Sequence, residues 1–355
     1  MEKNRPVLMI MYHFPCFDGA YAAINAYMYY MNFSRTYYHI KIIPIKNIHP
    51  KIPHFESIKP KKIIILDLNL SQDEIDYFKN TTNNNISLII FDHHKTGIHL
   101  FNQHKNELLS NNNKIKIIFS EDNTKSACGL SFDYYKKKAL LRFNKKDVGI
   151  YYSKYVESIN KYIEDTDIES NTLYKSSEFK SGLNNLYNPI SQYTDFSKWN
   201  QINYKMSTLL NLNINQCIKE GNISLSRYKK EAENELLHSR IIILAPNNKV
   251  KFYACIPSQK RYRNHAAPIL ARLSQDKGFV PVGAFIYRFE DVNNVYKISL
   301  RNAKNNIIDL SAFAEEFGGG GHVNAAAFTM SWEEIEKCIV EDNIKLAKEI
   351  IDKFK

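Results

Sequence analysis

Long apolar runs are missing from this 355-residue chain. No stretch approaches the ~20 residues a helix needs to cross a bilayer, so no membrane partner is expected. Cysteine is sparse and odd in number: Cys16, Cys128, Cys217, Cys255 and Cys338 include no Cys-x-x-Cys pair. That excludes a disulfide framework and a thiolate zinc site, and it fits a reducing compartment. No secretory leader pattern opens the chain, so a cytoplasmic location is expected, with import into an organelle left open. A Ser-His-Asp or Cys-His nucleophile motif is absent, which argues against covalent catalysis by a side chain. The glycine run at Gly318–Gly321 has no Lys-Ser/Thr after it, so it is not a phosphate loop of the nucleotide triphosphatase kind. No internal repeat is visible.

What is present is a globular composition with 44% hydrophobic and 24% charged residues and a formal net charge of +11. A basic surface favours polyanions, although most of the lysine reads as solvated faces. Short Ile/Leu/Val runs alternate with helical patterns through the first half: Pro6–Tyr12, Ile40–Ile45, Lys62–Leu66, Ser87–Phe91 and Lys114–Phe119. Continuous apolar strands separated by helices predict a parallel sheet covered on both faces. A polar helical stretch from about Asp147 to His238 lacks strand signals. A second α/β region begins at Arg240–Ala245 and closes on an amphipathic helix from about Ser331 to Lys355. The expected division is 1–190 for the first domain, 191–238 for a helical linker and 239–355 for the second domain.

Asp and His residues fall where the strands end. His13 follows the first strand, with Cys16 and Asp18 just beyond it. Asp67 follows the third strand, and Asp92, His93 and His94 follow the fourth. Open parallel sheets bind ligands at the carboxyl ends of their strands, so three strand ends deliver metal-capable groups to one edge. Asp165, in Glu164-Asp-Thr-Asp167, is a further candidate. Mixed carboxylate and imidazole suits Mn²⁺, Mg²⁺, Fe²⁺ or Zn²⁺. Clustered carboxylates repel one another unless cations lie between them, so two divalent metal ions are the expected cofactors.

Asp92-His93-His94 after an apolar strand resembles the signature of the DHH phosphoesterase family. His13-Phe-Pro-Cys-Phe-Asp18-Gly19, Leu66-Asp67, Thr124-Lys-Ser-Ala-Cys-Gly129 and Glu164-Asp165-Thr166-Asp167 resemble its other motifs, in order. The resemblance implies that His13, Asp18, Asp67, Asp92, His93 and Asp165 hold metal, with Asp92 and His94 catalytic and His94 near the scissile phosphate; Cys16 is a further candidate ligand. Cys16 stands where many members carry Asp; a ligand to a softer metal and a small buried filler are both open readings.

In the second half, Phe317-Gly318-Gly319-Gly320-Gly321-His322 resembles the GGGGH motif of the DHH-associated domain, with Ala327 where that motif usually has Gly. Glycines let backbone N–H groups approach a phosphate closely. Ser299-Leu300-Arg301 is similar to a segment whose Arg contacts a substrate phosphate. The substrate-binding set is therefore Arg301, Gly318, Gly319, Gly320, Gly321 and His322. The fold implied is α/β: a parallel-sheet catalytic domain and a smaller α/β associated domain, bilobed with a cleft between them. The compact NrnA/RecJ-like members imply hydrolysis of short oligoribonucleotides to mononucleotides by in-line attack of a metal-bridged hydroxide on phosphorus. A small-nucleotide substrate and a catalytically weak nucleic-acid-binding module are the alternatives. A short RNA or a nucleotide is the expected partner, and a homodimer is left open.

Overall fold

The computed structural model describes residues 5–34, 36–46, 58–68, 70–82, 86–94, 97–103, 115–120, 122, 124–187, 194–197, 199–248, 250–257, 262–289, 294–303 and 308–346. The chain divides into two compact units, Met1–Asn222 and Ile223–Lys355.

In the first unit, β1 (Val7–Phe14), β2 (His39–Lys46), β3 (Lys62–Leu66), β4 (Ser87–Asp92) and β5 (Ile115–Phe119) form one sheet in the order β2-β1-β3-β4-β5. Every pairing is parallel. Its helices include α1 (Phe17–Asn32), α2 (Gln72–Thr82), α3 (Ala127–Leu140), α4 (Lys145–Tyr151), α5 (Lys154–Asp167), α6 (Ser176–Tyr187) and α7 (Trp199–Leu210). The strands read as unbroken apolar runs because both faces of the sheet are covered. Leu8, Ile10, Tyr12, Ile64, Leu66, Ile89 and Phe91 face the core that contains α1 and α3. Met9, Met11, Ile63, Ile65, Leu88 and Ile90 face the opposite core with Ile75 of α2.

The small residues of α1 let that helix sit almost wholly inside, with Ala20, Ala22, Ala23 and Ala26 fully buried. Asn25 in its middle donates to Cys128 O, Ser131 Oγ and Asn160 Oδ1, so one buried amide ties α1 to α3 and α5. Its Nδ2 is satisfied in this way, while its Oδ1 is buried with no hydrogen-bond partner among the described residues.

The segment expected as a linker is distributed between two cores. Ile202, Met206 and Leu209 of α7 and Cys217 of α8 (Ile214–His238) pack into the first. Ala232 and Leu236, further along α8, pack into a core of the second unit.

The second unit holds β6 (Arg240–Leu244), β7 (Phe252–Ile256), β8 (Val282–Arg288), β9 (Val295–Asn302), β10 (Gly320–His322), β11 (Ala325–Ser331) and β12 (Ile339–Glu341). They form a mixed sheet in the order β10-β11-β9-β8-β7-β6-β12, in which only the β7–β8 pairing is parallel among the described residues. Helix α9 (Arg263–Asp276) covers one face. Helices α10 (Leu310–Glu315) and α11 (Trp332–Cys338) cover the other.

The final helix expected through Lys355 stops at Cys338. The β-branched pair Ile339-Val340 begins an extended segment that pairs with the β6 edge. Strand pairing there satisfies backbone groups that a continued helix would leave open on β6. Residues 347–355 lie outside the described residues. Among the described residues no helix is long and apolar enough to cross a membrane.

Candidate metal centre

The carboxyl ends of β1, β3 and β4 lie side by side, since β1 pairs with β3 and β3 with β4. That adjacency places His13, Asp67 and Asp92-His93-His94 along one edge. Asp67 sits one residue past β3 with φ of 59°, in the left-handed region. Asp tolerates this conformation better than most residues, and the turn keeps the carboxylate at the strand end. Gly19 holds α1 close to β1: a Cβ there would stand 2.4 Å from His13 O.

Three overlapping donor sets result: His13, Cys16 and Asp67; Asp67, His93 and His94; and Asp18, His93 and Asp167. Within each, the potential ligand atoms lie within 4.8 Å of one another. Asp67 belongs to two sets and so does His93. Asp67 Oδ2 accepts from His13 Nδ1 at 3.1 Å. His93 Nε2 lies 3.4 Å from Asp67 Oδ1, 3.2 Å from Asp167 Oδ2 and 4.0 Å from Asp18 Oδ2. His94 Nδ1 lies 2.7 Å from Asp92 Oδ1.

Asp18 is held by a helix it does not belong to. Its carboxylate accepts from Ser126 Oγ and from the backbone N–H groups of Ala127 (3.0 Å) and Cys128 (2.9 Å), at the start of α3. Asp18 also lies in the first turn of α1. Two helix N-termini therefore favour its negative charge. This gives the Thr124–Gly129 segment its role.

Asp165 does not enter the cluster. Its carboxylate accepts from Ser170 Oγ, Thr172 Oγ1, Thr172 N and Leu173 N, closing the loop after α5. Asp167 takes the position expected of it. Positions two apart on a helix differ by roughly 200°, so only one of the pair can face the strand ends. Asp92 lies behind the cluster: its Oδ1 accepts from His93 N (2.7 Å) and His94 N (3.1 Å). Its Oδ2 is buried with no hydrogen-bond partner among the described residues.

The electrostatics match a cation site. Burial, then the charges of Asp167 and Asp67, push the Asp18 carboxyl up to about 7. Burial also acts to raise Asp67, but hydrogen bonds from His13 and His93 outweigh it and hold it well below the usual carboxylate range. Burial disfavours a charged His93, yet its bonds to Asp167 and Asp67 raise it to about 12. His94 rises to about 9 because Asp92 overcomes the same penalty. Burial and the neighbouring carboxylates raise the Cys16 thiol. Protons on imidazoles thus balance the buried carboxylates, a task a divalent cation performs when histidines bind it neutral. The donor set and the orphaned Asp92 Oδ2 both fit such ions. A cavity of about 180 Å³ adjoins the cluster, lined in part by Cys16, Phe17, Asp18, Asp167, Lys180 and Asn184.

In the second unit, the glycine motif forms a hairpin edge. Gly320–His322 pairs antiparallel with Ala325–Ala327, Gly320 opposite Ala327. Gly318 and Gly319 lead into it, and the Cβ direction of Gly320 opens onto free space. Arg301 on β9 lies opposite Ala325. Its guanidinium donates to Leu300 O (2.7 Å), Ser299 Oγ (3.3 Å) and Asn264 Oδ1 (2.7 Å). Burial, then the charges of Arg263 and Arg301, lower the Lys297 ammonium, so three cations share this region. The side chain of His322 lies outside what is described. Asp309 caps α10, accepting from Ser311 N and Ala312 N.

A parallel sheet whose strand ends gather carboxylates and imidazoles defines a candidate site for divalent cations. Residues 7–156 match the model of the DHH family N-terminal domain, and residues 247–351 match that of the DHHA1 domain. The chain belongs to the DHH family, whose members hydrolyse phosphoesters. An uncharacterized protein of Acanthamoeba polyphaga mimivirus is 24% identical over 350 residues, spanning 93% of this chain and 70% of that protein. Among solved structures, an exopolyphosphatase-related protein from Bacteroides fragilis is 13% identical with a TM-score of 0.47, covering 99% of this chain and 93% of that one. A pGpG-specific phosphodiesterase from Vibrio cholerae is 13% identical with a TM-score of 0.43, covering 93% and 95%. The exonuclease RecJ bound to manganese is 12% identical with a TM-score of 0.42, covering 98% and 89%.

Proposed function

We propose that the protein is a phosphodiesterase that uses two divalent metal ions, Mn²⁺ foremost, to hydrolyse short oligoribonucleotides to mononucleotides. The observation that carries this reading is the sharing of Asp67 and His93 between overlapping donor sets, which offers two adjacent positions for cations. His13, Cys16, Asp18, Asp67, His93 and Asp167 would hold the ions, with the orphaned Asp92 Oδ2 behind them. Bound there, divalent ions would polarise phosphoryl oxygens and offset the charge that develops on them.

The chain supplies the remaining chemistry. Asp92 orients His94 through Nδ1, which leaves Nε2 on the far side of a partly exposed ring. A cationic His94 is suited to hold a phosphate oxygen or to donate a proton to the leaving oxygen. The Arg301, Lys297 and Arg263 group beside the glycine hairpin supports recognition of a phosphate by the second unit. The net charge of +11 favours an anionic substrate.

The test is hydrolysis of an end-labelled RNA dinucleotide and a longer oligomer in Mn²⁺, with Asp92→Ala and His93→Ala as controls. The native chain is expected to release mononucleotides and both variants to lose turnover. Mn²⁺ binding without cleavage of either RNA would overturn the oligoribonuclease reading.

A further inference from the structure

At the opposite end of the first sheet from Asp67 and Asp92, four cations gather. Lys62 opens β3 and Lys116 is the second residue of β5. Lys138 lies in the last turn of α3, and Arg142 follows that helix. Asp67 lies five positions after Lys62, which at ~3.3 Å per residue puts the group roughly 16 Å from the metal cluster. Lys62 shares the strand face of Ile64 and Leu66, and Lys116 pairs with Ile89 of the same core. Both therefore point toward α1 and α3. The Lys116 Nζ lies 4.5 Å from the centre of the Tyr134 ring, and the Lys138 Nζ 5.5 Å from that same ring and 5.1 Å from Tyr29. Lys62 lies 5.9 Å from Tyr30. Tyr134 is fixed in turn by edge contacts to Phe91 and Tyr135.

This group differs from the lysines around it. Lys125, just before α3, pairs with Asp133 of that helix, Lys136 of α3 pairs with Glu157, and Lys161 of α5 also reaches Glu157. Among the described residues no carboxylate forms an ion pair with Lys62, Lys116, Lys138 or Arg142. Burial, followed by the charges of Lys62, Arg142 and Lys116, lowers the Lys138 ammonium to about 8. Like charges held over tyrosine faces repel one another, and a bound polyanion would relieve that repulsion.

We propose that Lys62, Lys116, Lys138 and Arg142 form an exosite for the phosphodiester backbone of a single-stranded oligonucleotide, apart from the bond that is cleaved. The inference rests on the oligonucleotide reading given above. Cations contributed by two strands and a helix end can meet successive phosphates, which positions a strand without reading its sequence. Tyr29 and Tyr30 are buried beneath them, so these rings hold the cations in place and leave recognition to charge.

The test measures binding of a fluorescein-labelled twelve-nucleotide RNA to the full chain by anisotropy, in EDTA, across a salt series. The variants are Lys116→Glu/Lys138→Glu and the milder Lys116→Gln/Lys138→Gln, with melting curves to verify the fold. Each phosphate contact on a single strand contributes about −0.7 to the slope of log affinity against log salt, so losing two contacts should flatten it by about 1.4 and weaken low-salt binding about tenfold or more on charge reversal. The neutral pair should show the same flattening with a smaller loss. Native affinity and native slope in both pairs would overturn the exosite. The assay reads binding without turnover, so its failure is distinguishable from a failure to hydrolyse RNA.

Discussion

Asp67→Ala is expected to abolish hydrolysis, while Asp165→Ala keeps most of it. Asp67 stands in two of the three donor sets and accepts from His13 and His93. Its removal takes one carboxylate from each of two adjacent cation positions, deprives His13 of its bond to Asp67 and leaves His93 with Asp167 and Asp18. Loss of a single preorganised charge-stabilising group costs on the order of 10²–10³-fold in kcat, and a group shared between positions should cost at least that. Asp165 only ties the loop after α5, so its alanine variant should melt earlier yet still bind Mn²⁺. Asp167→Ala completes the comparison and should behave like Asp67→Ala. Titration calorimetry with Mn²⁺, alongside initial rates, separates these outcomes. If Asp165→Ala loses Mn²⁺ binding while Asp167→Ala retains it, the assignment of Asp167 to the cluster is wrong.

Gly182→Ala should be among the most destabilising single changes available outside the cluster. Helices α6 and α8 cross with their backbones nearly touching: a Cβ on Gly182 would stand 1.7 Å from Cys217 O, and one on Gly221 1.7 Å from Glu178 O. The obstruction is backbone, so no rotamer change relieves it, and the helices must separate. Overpacking of this kind costs about 1–3 kcal/mol and occasionally more, and the upper end is expected here. At about 2–4 °C per kcal/mol for a unit of this size, a 3 kcal/mol loss would lower the melting temperature by about 6–12 °C. Urea unfolding followed by circular dichroism measures the change. A Gly182→Ala midpoint equal to the native one would show that the crossing is looser than described.

The parts of the molecule legible in the sequence are those governed by local pattern. Strand ends carrying His13, Asp67 and Asp92-His93-His94 could be found because buried parallel strands announce themselves as apolar runs and their ligands follow directly. The mixed pairing of the second sheet could not be read, since hydrogen-bond direction leaves no mark on a run such as Arg240–Leu244. Asp165 and Asp167 share one tetrapeptide, and choosing between them needs the rotation of α5 about its axis, which Val156, Ile159 and Ile163 set by packing. The glycine run suggests close backbone approach to an anion, but its pairing with Ala325–Ala327 at a sheet edge depends on a partner strand that the run does not reveal. The end of α11 was missed because the β6 edge, distant in sequence, outweighs the helical pattern after Cys338.

The contacts that assemble the cluster are long in sequence. Asp18 meets Ser126 across 108 residues and His13 meets Asp67 across 54, while Asp167 reaches back to His93 from the end of α5. Loop closure over such spans comes late in folding. During synthesis, which favours N-terminal parts first, the sheet edge can form long before it is competent. The chain therefore acquires a complete donor set only after α5 has emerged and docked, and the nascent enzyme stays inert until its first unit is nearly whole.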